Sequence, residues 1–178
     1  MKIALYIAFH NKSSIDCCKE IIDIISQNNQ LVIDSKIKNE LTKEAQDKFS
    51  FFDSNKPIEG NIDFVFAVGG DGTILRSITY VKNSNIPILG VNTGRLGFLT
   101  SIQKENIQEA ISQINENKFS VIKRTLLEVK SDSINNAFSD YPFALNEITI
   151  QRKDTTSLLN ISCQINGNYL TNYWSDGL

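Results

Sequence analysis

Asp71 is a carboxylate set among glycines: residues 69–73 read Gly69-Gly70-Asp71-Gly72-Thr73 and follow the apolar run Phe64-Val65-Phe66-Ala67-Val68. That run predicts a strand buried on both faces of a parallel sheet. Ile74, Leu75 and Ile78 begin a helical pattern directly after it. Strand, Gly-rich turn and helix in this order bring free backbone N–H groups and a positive helix end to one point, an anion site that most often takes phosphate. Leu75 stands where a dinucleotide fingerprint needs its third spaced glycine, and no Lys-Ser/Thr pair follows as in a P-loop. A carboxylate in such a place is repelled by phosphate unless a cation or a substrate hydroxyl accounts for it. Asp71 therefore either orients Mg²⁺ on a nucleotide or accepts a proton from a hydroxyl that attacks a phosphoryl group. It also suits a helix N-cap, which excludes neither role.

A second turn-rich segment, Asn92-Thr93-Gly94-Arg95-Leu96-Gly97-Phe98-Leu99-Thr100, follows the short apolar run 86–91. It predicts another tight loop at the carboxyl edge of the sheet, where open α/β sheets bind ligands. Within it Arg95 either steers phosphates or stays solvated. His10, the one histidine, follows the first strand with no Ser/Asp partner pattern and reads as a loop residue. Cys17, Cys18 and Cys163 have no metal-ligand spacing and read as core packing in a reducing cytoplasm.

The elements that must position these residues follow from periodicity. Residues 2–9 predict a strand and 13–28 a helix capped by Ser13 or Ser14, with Ile15, Cys18, Ile22 and Ile25 inward. Residues 31–33 predict a strand, 39–50 a weak helix, 86–91 a strand and 104–117 a helix with Ile107, Ala110, Ile111 and Ile114 on one stripe. Alternation of this kind predicts a doubly wound parallel sheet over 1–118. From 119 the pattern changes to consecutive strands at 119–130, 143–152, 158–166 and 168–174, with Asn166-Gly167 as a hairpin turn. The expectation is thus an α/β fold: an N-terminal parallel-sheet domain, then the opening strands of a β-rich second domain over 119–178.

Of 178 residues, 41% are hydrophobic and the net charge is −2. That composition permits a packed core and argues against a nucleic-acid surface. No segment reaches membrane-spanning length, and the apolar N-terminus is too short for a signal peptide. A soluble cytoplasmic protein is the expectation.

Three separated segments resemble NAD kinases. Gly69-Gly70-Asp71-Gly72-Thr73, followed by Ile74-Leu75, is similar to that family's phosphate loop, Val91 to Leu99 to its second signature loop, and Leu145-Asn146-Glu147-Ile148-Thr149-Ile150 to its Asn-Glu strand. Tyr173-Trp174-Ser175-Asp176-Gly177 resembles its Asp-Gly turn. The family transfers the ATP γ-phosphoryl group to the 2′-hydroxyl of the adenosine ribose of NAD. By resemblance, Asp71 contacts that hydroxyl as base or orienting acceptor. Gly70, Gly72, Thr73 and Arg76 serve the phosphates, with Mg²⁺ on the triphosphate and no metal ligand from the protein. Phe98 would lie against the adenine, its alternative being core packing. Asn146, Glu147 and Asp176 would contact NAD. An Asn-Glu pair inside an apolar strand is otherwise costly to bury. The resemblance further implies ATP or polyphosphate as donor and a homodimer or homotetramer. Family members continue past the Asp-Gly turn, so the chain reads as truncated and inactive alone. Lipid kinases share Gly-Gly-Asp-Gly-Thr but follow it differently, and a silent nucleotide-binding or oligomerisation module is the third reading.

Overall fold

The computed structural model describes residues 1–94, 97–131, 141–153 and 157–178; Arg95 lies outside the described residues. The chain divides into two compact units, Met1–Arg124 and Thr125–Leu178. The first unit ends beyond residue 118 because Phe119 packs edge-on against Phe64, ring centres 5.3 Å apart.

The first unit is built on six strands: β1 (Lys2–Tyr6), β2 (Gln30–Asp34), β3 (Ser50–Phe52), β4 (Phe64–Val68), β5 (Ile88–Asn92) and β6 (Ile102–Gln103). They lie in the order β3-β2-β1-β4-β5-β6, every pairing parallel. Such strands need both faces covered, and the period-two alternation along β1 supplies two apolar faces. Ile3, Leu5 and Ile7 join helices α1 (Lys12–Ile25) and α4 (Ile107–Asn115) in one core. Ala4 and Tyr6 join α3 (Asp71–Val81) in the other. There Tyr80 stacks between Tyr6 and Phe52, with ring centres 5.6 and 4.8 Å away. Each large side chain so buried is worth about 1.5–3 kcal/mol.

Local chemistry moved several element boundaries. Asn11, not Ser13 or Ser14, caps α1, its Oδ1 accepting the Ser14 N–H at 2.9 Å. The weak helix expected at 39–50 is a 3₁₀ turn (Ser35–Glu40), a six-residue helix α2 (Lys43–Lys48) and the edge strand β3. Cys17 and Cys18 are buried as expected.

In the second unit, among the described residues, β7 (Leu127–Glu128) pairs only with β8 (Phe143–Ala144), and β9 (Leu159–Ile165) only with β10 (Asn168–Ser175). Of the longer strands expected over 119–130 and 143–152, two-residue pieces pair as β7 and β8, and residues 150–152 make a separate antiparallel bridge to 176–178, with Gln151 opposite Gly177. Asn166 and Gly167 have φ of 52° and 80°, the positive pair a two-residue hairpin turn requires. Cys163 sits on this two-stranded ribbon and is only partly buried, so the core-packing expectation fails for it. Among the described residues no helix is long and apolar enough to cross a membrane.

Candidate functional site

Strand order reverses between β1 and β4: the chain proceeds from β1 outward to β2, and from β4 outward the other way to β5. Beyond the carboxyl ends of these two strands lies the crevice in which open α/β sheets hold ligands. The turns that follow β1 and β4 supply its walls.

After β4, Gly69 adopts a φ of 151°, and a Cβ there would overlap the Thr73 side chain, so only glycine lets the turn close onto α3. Gly70 is the N-cap of α3 without a side-chain bond, and a side chain on it would project into open space. Gly72 is exposed in the first turn; Thr73 is buried and its N–H bonds Gly70 O at 2.9 Å. These positions leave the amino end of an eleven-residue helix open to an anion. Arg76, one turn on, is exposed and stacks on Phe9 of the loop after β1, 4.7 Å from the ring centre.

Asp71 is the first residue of α3 and not its cap, because its carboxylate turns away from the helix toward the loop after β5. Oδ2 accepts the Phe98 N–H at 2.8 Å; Oδ1 accepts those of Leu99 and Thr100 at 3.0 and 3.1 Å. Partial burial works to raise its pKa, but the amides of Leu99, Phe98 and Thr100 outweigh it and hold the carboxyl below the usual range. Gly97 has no room for a side chain: a Cβ would run into the Asp71 carboxylate. Phe98, presented by the same loop, is 98% exposed. The core-packing alternative for this ring is therefore removed.

The side chains behind the loop carry no signal that singled them out. Asn92, at the end of β5, accepts the Gly94 N–H at 2.6 Å and donates to Thr100 Oγ1 at 3.0 Å. Thr100 Oγ1 also accepts the Gly97 N–H at 3.0 Å. Phe9 was likewise missed, since a single aromatic beside a strand end looks like any core residue. His10 is a loop residue 3.5 Å from Glu40.

The remaining expected contacts belong to the second unit. Asn146 lies in a bend just past β8, and Glu147 follows; both are exposed. The argument from buried polar groups thus does not hold for them, because the strand that would bury them is not formed. Asp176 is held by its backbone, whose carbonyl accepts the Arg152 N–H at 3.0 Å, while its carboxylate stands 3.9 Å from the Arg152 guanidinium. Among the described residues no three His, Cys, Asp or Glu side chains are grouped to hold a metal ion.

Fold and site define a doubly wound α/β protein with an open helix end and an anchored carboxylate at its switch point. Comparison with known proteins narrows this. The family model described as the ATP-NAD kinase N-terminal domain matches residues 5–119, and the chain belongs to the NAD kinase family. It is 43% identical to a NAD kinase of Flavobacterium psychrophilum and 38% identical to one of Christiangramia forsetii, over its whole length in both cases. It spans 62% of the length of these relatives. In fold it is similar to yeast NADH kinase complexed with NADH (TM-score 0.72, 19% identity, 99% of this chain and 55% of that one). It is also similar to an NAD kinase from Archaeoglobus fulgidus in complex with ATP (TM-score 0.65, 24% identity, 99% and 59%).

Proposed function

We propose that this chain carries the phosphoryl-transfer machinery of a NAD kinase, which moves the γ-phosphoryl group of ATP to the 2′-hydroxyl of the adenosine ribose of NAD and gives NADP. The observation that carries the reading is the state of Asp71. A carboxylate offers about four acceptor sites. Two on Oδ1 and one on Oδ2 are taken by backbone N–H groups. One acceptor site on Oδ2 is left for a donor of the size of a hydroxyl.

That arrangement favours an orienting acceptor over a strong base, since amide donors lower the basicity of the carboxylate. Phosphoryl transfer tolerates this, because its transition state is loose and asks mainly for positioning and charge neutralisation. The hydroxyl oxygen bonds to the γ-phosphorus, the bond to the β–γ bridging oxygen breaks, and ADP leaves. The hydroxyl proton passes toward Asp71 or out to solvent late in the step. The open amino end of α3, with Gly70 and Gly72, receives phosphate oxygens, while buried Thr73 closes the turn behind them, and Arg76 adds a positive charge beside them. Mg²⁺ would be held by the triphosphate oxygens and supply charge neutralisation there. Exposed Phe98 offers a face to the adenine of NAD, and Asn146, Glu147 and Asp176 offer polar contacts.

The cytoplasm is the proposed compartment, supported by three cysteines that form no disulfide. A homodimer or homotetramer is the proposed assembly, as the resemblance to NAD kinases implies. To test the function, protein expressed from the whole open reading frame is incubated with NAD and Mg-ATP and assayed for NADP. Phosphorylation of a lipid hydroxyl with no NADP formed would overturn the reading.

A further inference from the structure

The amide cradle around Asp71 is not self-supporting. Three N–H groups can converge on one carboxylate only if the backbone that carries them is held, and two buried polar side chains bond directly to that stretch. Asn92 and Thr100 are 3% and 7% exposed, among the few polar residues in a core of aliphatic ones. A buried amide and a buried hydroxyl are costly unless bonded, and bonded they fix one arrangement.

Thr100 stands at the junction. Its N–H donates to Asp71, while its Oγ1 accepts from Asn92 Nδ2 and from the Gly97 N–H. Gly97 in turn is where the backbone passes so close to Asp71 that no Cβ fits. Asn92 anchors the other side through the Gly94 N–H, and its own backbone is fixed by the pairing of β5 with β6. The chain of contacts therefore runs from the sheet through Asn92 and Thr100 to the carboxylate.

We propose that Asn92 and Thr100 are positioning residues, which hold the cradle so that the last acceptor site of Asp71 is presented to the substrate hydroxyl. The inference rests on the phosphoryl-transfer reading for its purpose, but its test does not need turnover.

The test follows Asp71 directly in the 178-residue chain, by carbon-13 titration of its carboxyl and by hydrogen exchange of the Phe98, Leu99 and Thr100 amides at neutral pH. In Thr100→Val the midpoint should rise toward the ordinary aspartate value of about 3.9. The three amides should exchange roughly tenfold faster. Thr100→Ser, which keeps the hydroxyl, should restore both. Should the Val variant not fold, Asn92→Ala removes the donor with Thr100 intact and is read the same way. A folded Val or Ala variant with unchanged midpoint and protection, or a Ser variant that fails to restore them, would overturn the proposal. NADP formation is assayed separately on protein from the whole reading frame. A wild-type cradle that behaves as described in a protein making no NADP would count against the functional reading alone.

Discussion

The Arg76 guanidinium lies 4.7 Å from the centre of the Phe9 ring and so joins α3 to the loop after β1 across the reversal of strand order. The ring fixes a cation that would otherwise sample many rotamers. We expect Arg76→Ala to weaken ATP binding strongly, and Phe9→Ala to weaken it less, because the charge remains but is no longer held. An exposed contact of this kind is worth about 0.5–1 kcal/mol. Calorimetric titration of both variants measures it; equal affinity for Arg76→Ala and wild type would remove Arg76 from the phosphate site.

Asp71→Asn replaces one carboxylate oxygen by an amide group that donates where one or two backbone N–H groups already donate. We expect turnover to fall by roughly 10²–10⁴, with ATP affinity nearly unchanged. Steady-state kinetics on the protein from the whole reading frame decide this, and near-normal turnover would leave Asp71 only a structural part.

Two carboxyls give opposite signs on acidification. Asp71 has a lowered pKa in the fold, so its stabilising contribution is present above the unfolded value of about 3.9 and is lost as pH falls through the folded one. Asp34 is fully buried; burial raises its pKa against the Lys36 and Ile7 N–H bonds and the Lys36 charge, so its penalty appears as pH rises past the unfolded value. Urea denaturation at pH 7 and near pH 3.5 should show the advantage of wild type over Asp71→Asn shrinking on acidification. For Asp34→Asn, wild type should gain relative to the variant over the same change.

Two phenylalanines should behave as opposites. Phe66 is fully buried in β4, and Phe66→Ala should cost about 3–5 kcal/mol. Phe98 is 98% exposed, so Phe98→Ala should change stability by no more than about 0.5 kcal/mol while weakening NAD binding. Chemical denaturation and NAD titration of each variant check both halves.

Asn146→Ala and Glu147→Ala, at exposed positions, should leave the fold intact. Each should lower NAD affinity by roughly ten- to a hundredfold, the worth of a hydrogen bond involving a charged group, and leave ATP affinity alone. Equal losses for the two nucleotides would assign the pair to structure.

The sheet and the main turn were legible because their signals are local. The apolar run 64–68 and the glycines after it specify a buried strand and a sharp turn with no knowledge of the rest. The same holds for Asn166-Gly167. What was not legible depends on partners distant in sequence. Asp71 looks like an N-cap until Phe98, Leu99 and Thr100 are seen to reach it. β3 and β6 are three and two residues long and exist only because β2 and β5 offer them edges. The expected strand around Asn146 and Glu147 is interrupted at those two residues: it pairs with β7 at Phe143–Ala144 and again with 176–178 at 150–152, and a bend separates the two pairings.

The register of the central pair sets the order in which this unit can assemble on the ribosome. Ile3 lies beside Phe64, so β1 emerges first yet waits for some sixty further residues before its inner neighbour exists. Until then it can pair only with β2, and one long edge stays unsatisfied. Closing a loop of that length is entropically slow, and slow parallel pairing leaves strands open to other chains. The arrival of β4 therefore both gives β1 its second neighbour and brings the glycine turn to the strand end where Phe9 waits. The crevice is finished only when β5 adds to β4 and its following loop delivers the amides of Phe98, Leu99 and Thr100 to Asp71.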